Sequence, residues 1–109
     1  MRLKQWEIDG IAGAIEALFQ ANDLSLKGVE LHLYGSRADD KKKGGDIDLL
    51  LRVPDELLSK VKALKFSIDM EMQERIGEQK IDLLIMDHYV PQEPFHRLAL
   101  KQAKLMKKW

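Results

Sequence analysis

Two short aliphatic runs with an acid at or near the start of each constrain this chain more than any other feature. They are residues 46–53 (DIDLLLRV) and 80–86 (KIDLLIM), and one helix-patterned stretch separates them. Runs this short and this rich in Leu and Ile read as strands, the first buried on both faces beyond Asp48. A single helix between two such strands returns the chain to the same end of a sheet, so the pair should run parallel. Pro54 suits the first turn of that helix, and Asp55 and Glu56 favour its positive end. Leu57, Leu58, Val61, Leu64, Ile68 and Met72 keep helical spacing as far as Gly77, a stop signal. The spacing predicts one helix over 55–76.

The flanks complete the layer. Ile8, Ile11, Ala12, Ile15, Leu18 and Phe19 form one apolar stripe in a helix over 6–20, closed by the turn residues Asn22 and Asp23. Val29 to Tyr34 alternates apolar and polar residues and reads as a strand. Residues 35–45 (GSRADDKKKGG) carry three glycines and no large apolar side chain. A loop this short most simply joins neighbouring antiparallel strands. After Pro91 and Pro94 a last helix is expected, with Phe95, Leu98, Ala99 and Ala103 on its inner side. Arg97, Lys101, Lys104 and Lys108 would share its outer face. The fold class is α/β: a small mixed β-sheet of three or four strands, packed by helices mainly on one face. One domain over residues 1–109 accounts for the whole length.

Charge and composition remove several function classes. Eighteen basic side chains balance eighteen acidic ones, so direct nucleic-acid binding is not expected. The absence of cysteine excludes a disulfide framework and a cysteine zinc site. No apolar stretch approaches the roughly 20 residues needed to cross a bilayer, and no signal-peptide pattern opens the chain. A soluble, cytoplasmic protein is expected, either monomeric or a homo-oligomer.

Three features point at one rim of the sheet: Gly35-Ser36 directly after a strand, Asp46-Ile47-Asp48 opening the next, and Asp82 near the start of the third. Residues i and i+2 of a strand share a face, so Asp46 and Asp48 project together, about 6.6–6.8 Å apart along the strand. Two carboxylates so placed repel each other, and a divalent cation such as Mg²⁺, shared with substrate phosphates, removes the conflict. Gly35 lets backbone N–H groups approach phosphate oxygens, Ser36 adds a hydroxyl, and Arg37 can offer a guanidinium fork. Metal-held phosphates beside a third carboxylate suit phosphoryl or nucleotidyl transfer.

Leu33-Tyr34-Gly35-Ser36, nine residues, then Asp46-Ile47-Asp48-Leu49 resembles the signature of the DNA polymerase β-like nucleotidyltransferase superfamily, and Asp82 in Ile81-Asp82-Leu83 resembles its third acidic position. The compact length looks most like the minimal nucleotidyltransferase (MNT) branch. The resemblance implies that Asp46, Asp48 and Asp82 hold metal, with two Mg²⁺ ions in the active complex, and that Gly35 and Ser36 bind a nucleoside triphosphate such as ATP. It also implies a helical HEPN-domain protein as partner, in a pair resembling a toxin–antitoxin system, with AMP transferred to a hydroxyl of the partner. The chain departs from the pattern at Gly45, where a serine commonly precedes the first aspartate. The run Lys41-Lys42-Lys43 lies outside the signature.

Blander readings apply to several of these residues. Acids at strand starts can simply be solvated, and Arg37 can be an ordinary surface arginine. The lysine run reads as a loop tip, and His32, His88 and His96 are spaced for local structural contacts and not for a metal. Two other functions share the same residues: an antitoxin that masks a partner by contact, and a sensor that holds ATP without turnover.

Overall fold

The computed structural model describes residues 3–38 and 45–109, with only the backbone of Ser36. Its elements are helix α1 (Gln5–Ala21), strand β1 (Glu30–Tyr34), a 3₁₀ turn (Gly35–Ala38), β2 (Ile47–Arg52), a second 3₁₀ turn (Asp55–Leu57), α2 (Leu58–Ala63), α3 (Lys65–Ile76), β3 (Ile81–Met86), α4 (Pro94–Gln102) and β4 (Lys104–Lys108). Among the described residues the strands form one sheet in the order β3-β2-β1-β4. β1 runs antiparallel to β2 and to β4, and β2 runs parallel to β3, so the sheet is mixed.

Strand alternation sorts the side chains into two layers. On one face Leu31, Leu33, Leu49, Leu51, Leu83 and Ile85 pack against Ile11, Ile15 and Phe19 of α1 and Ile68 and Met72 of α3. On the other face Leu50, Tyr34 and Met86 pack with Ala99 of α4 in a smaller cluster. Helices therefore cover mainly one face, and α4 partly covers the other. Gly10 allows the close approach of α1 to α3, since a Cβ there would stand 2.5 Å from Ile76 Cγ2.

The crossover differs from the single helix predicted over 55–76. It breaks at Leu64, whose backbone (φ −92°, ψ 1°) leaves the helical region and whose N–H turns back to Val61 O at 2.9 Å. The break lets α2 stay over β3 while α3 runs along α1. The predicted stop holds at Gly77, which caps α3 with φ +87°.

The C-terminal segment corrects the sequence reading more sharply. The last helix ends at Gln102, Ala103 is extended, and Lys104–Lys108 is a strand. Lys104 and Lys108 therefore do not share a helical face with Arg97 and Lys101. Lys, Leu and Met all favour helices, but pairing with β1 satisfies the backbone there, and tertiary context overrides propensity. A bulge between Leu31 and His32 leaves Met106 as the extra residue on β4, and its side chain packs on the main core. Trp109 anchors the end: its N–H donates to Val29 O at 3.0 Å and its indole Nε1 to Glu16 Oε2 at 2.7 Å. In α4 only Ala99 of the expected inner residues is buried, whereas Phe95 and Leu98 are each 52% exposed.

Candidate active site

The parallel register sets Asp48 opposite Asp82, and the antiparallel register sets Tyr34 opposite Asp48. Three neighbouring strands thus bring Tyr34, Asp48 and Asp82 to one end of the sheet. By alternation they lie on the α4 face, together with Leu50 and away from the main core. Asp46 stands one residue ahead of β2. Its neighbour Ile47 donates its N–H to Lys80 O at 3.0 Å, which ties the start of β2 to the start of β3.

Gly35 turns out of β1 with φ +74°, a conformation that costs glycine little. A methyl group added there would overlap Asp48 Oδ2 and stand 3.1 Å from Asp48 Cγ. The carboxylate thus leans directly over the backbone of the glycine turn. The side chain of Ser36 and the lysine run 41–43 lie outside the described residues. Arg37 Nη2 donates to Gly45 O at 2.9 Å, joining the turn to the residue before Asp46. The charge of Arg37 also reaches Glu7 at the start of α1.

The electrostatics match this crowding. Burial, then the charges of Asp82 and Asp46, push the Asp48 carboxyl above its ordinary value, with Lys80 opposing them. Tyr34 is pushed up to about 12 by burial and by Asp82 and Asp48, so it keeps its phenolic proton at neutral pH. Lys80 Nζ stands 3.6 Å from Asp46 Oδ2, an exposed pair that solvent screens and a ligand can displace at little cost. Among the described residues no group of three or more His, Asp or Glu side chains closes into a ready metal cage. The donor set nevertheless suits a hard cation. Asp82 and Asp46 raise the proton affinity of Asp48, and a divalent ion whose other ligands come from phosphate oxygens relieves that conflict. Neither Lys80 nor Tyr34 was given a site role from the sequence, although Tyr34 stands inside the Leu33-Tyr34-Gly35-Ser36 motif and Lys80 directly precedes Ile81-Asp82.

The histidines sit elsewhere. His32 pairs with Glu30 at 3.0 Å, His88 Nε2 meets Gly28 O at 2.6 Å and His96 pairs with Glu93 at 3.2 Å. Among the described residues no helix is long and apolar enough to cross a membrane.

No curated protein matches the chain. A crystal structure of a candidate nucleotidyltransferase from Sulfolobus solfataricus is similar, at 18% identity and a TM-score of 0.45, over 99% of this chain and 92% of that one. At that score the likeness carries no argument about the site. The family described as "Nucleotidyltransferase domain" matches residues 14–108 and so spans all four strands and the three carboxylates. The chain belongs to the nucleotidyltransferase domain family.

Proposed function

We propose that the protein transfers a nucleoside monophosphate, AMP from ATP, to a hydroxyl group on a helical protein partner of the HEPN type. The observation that carries this reading is the register of three strands. It sets Asp48 beside Asp82 and under the backbone of Gly35, where a triphosphate and its cation would share one pocket of charge. Asp46, Asp48 and Asp82 would hold Mg²⁺, two ions in the active complex, and the metal would supply charge neutralisation at the reacting and leaving oxygens. Gly35 and Ser36 offer donors to the phosphates. Arg37 braces the turn through Gly45 and adds positive charge beside it.

In the transfer the acceptor oxygen bonds to the α-phosphorus as the bond from that phosphorus to the pyrophosphate oxygen breaks. The acceptor's proton passes toward Asp82, and pyrophosphate leaves. The phenol of Tyr34, protonated at neutral pH, can donate toward developing negative charge. A protein acceptor fits a nucleotidyltransferase domain this small, which by itself has little surface left to wall in a small substrate. The reaction would take place in the cytoplasm, as the cysteine-free composition suits.

The crowding of Asp48 by Asp82 and Asp46 would be relieved equally by a cation held with ATP without turnover, so the second reading is a protein that holds ATP or masks its partner. One experiment separates the two. The protein is incubated with α-labelled ATP, Mg²⁺ and the helical protein encoded beside it, alongside an Asp46→Asn/Asp48→Asn variant. Label on the partner that vanishes in the variant supports transfer. Partner inhibition without label, equal in both proteins, overturns it in favour of masking.

A further inference from the structure

Phe95 is a large aromatic side chain at the start of α4, yet it is 52% exposed. Its ring meets Tyr34 edge to face, with centroids 6.4 Å apart and planes at 77°. Tyr34 belongs to the cross-strand pair that includes Asp48, and α4 also packs against the glycine turn. The ring is therefore held at the margin of the carboxylate cluster, steadied on one side by Tyr34. One turn further along, Leu98 is also 52% exposed and extends the apolar surface. The rim thus changes from acidic at Asp48, through Tyr34, to apolar and aromatic at Phe95. A metal-bound nucleoside triphosphate has the same polarity: charged phosphates at one end and a flat, poorly hydrated base at the other.

Resting on the nucleotidyl-transfer reading above, we infer that Phe95 is the stacking platform for the nucleobase, with Tyr34 as the positioning residue that holds its ring. Stacking on one face tolerates any base and rewards the larger purine surface, so the platform favours purine nucleotides. It contributes to binding the base and makes no contact with the phosphates.

The test measures binding of Mg·ATP and of Mg·tripolyphosphate by calorimetry to the wild type and to Phe95→Ala, Phe95→Leu and Phe95→Trp, each first checked for an unchanged melting profile. Phe95→Ala is expected to weaken ATP binding about tenfold and to leave tripolyphosphate binding within twofold. Phe95→Trp should retain ATP affinity, and Phe95→Leu should fall between Ala and wild type. Wild-type ATP affinity in the Ala variant, or equal losses for ATP and tripolyphosphate, overturns the platform and leaves the transfer reading standing. A wild-type protein that binds neither ligand overturns both.

Discussion

Asp48 and Asp82 face each other across the parallel β2–β3 ladder at the same register position. Directly opposed like charges are destabilising in a sheet, and here burial adds to the conflict on Asp48. The arrangement holds unfavourable electrostatic energy that a cation would release.

Asp48→Asn should therefore raise the melting temperature of the metal-free protein by a few degrees while abolishing nucleotide transfer. Mg²⁺ with ATP should raise the melting temperature of the wild type and leave that of the variant unchanged. Thermal scans with and without chelator check both statements. A variant less stable than wild type in chelator would contradict the account of Asp48.

Gly35→Ala places a methyl group on Asp48 Oδ2 and forces an L-residue to φ +74°. The expected cost is about 2 kcal/mol from the backbone conformation and the displaced carboxylate. Denaturant unfolding gives the stability change. Activity should fall much further than the population of folded protein does.

Glu7 gives the fold a pH dependence opposite in sign to that of Asp48, whose raised carboxyl costs stability as pH rises. Glu7 is 7% exposed, accepts the Lys4 backbone N–H at 3.0 Å and Gln79 Nε2 at 3.2 Å, and feels the charges of Arg37 and Lys4. Burial alone would push its carboxyl up, but these contacts outweigh that and hold it below its ordinary value. Its folded value thus lies below the unfolded one. The carboxylate contributes stability above the unfolded value, and this is lost as pH falls through the folded value. Glu7→Gln should cost about 1–2 kcal/mol at neutral pH and flatten the acid limb of a stability–pH curve. An unchanged acid limb would refute the assignment.

Trp109→Phe removes the indole hydrogen bond to Glu16 while keeping an aromatic, though smaller, side chain. A loss of about 1 kcal/mol is expected, or about 4–8 °C in melting temperature for a domain of this size. Hydrogen exchange should quicken in β4 and in the Leu31–Leu33 stretch of β1, and stay slow in β2 and β3.

Much of this architecture was legible because β2 and β3 carry strong local signals. Leu49-Leu50-Leu51 and Leu83-Leu84-Ile85 read as buried strands, and one helical stretch between them dictates a parallel pair. The approach of Asp48 to Asp82 follows from that topology alone. β4 was not legible, because Lys104-Leu105-Met106-Lys107-Lys108 has the composition of a helix and becomes a strand only through β1 and the Trp109 anchor. Nor was the break at Leu64, which depends on where α1 and β3 lie and not on any glycine or proline in the stretch. Arg37 illustrates a third limit. Its spacing suggested a phosphate ligand, but its bond to Gly45 and its pull on Glu7 depend on which layer the turn faces.

Leu49 and Asp48 are sequence neighbours that live on opposite sides of a wall. The main core lies behind it, and the proposed reactive groups lie in front beside the smaller α4 cluster. Substitutions on the two sides that share no partner should add their effects with little coupling. Substitutions at Phe95 and its surroundings should then change nucleotide affinity without unsettling the fold, while the aliphatic layer behind drifts at its own pace.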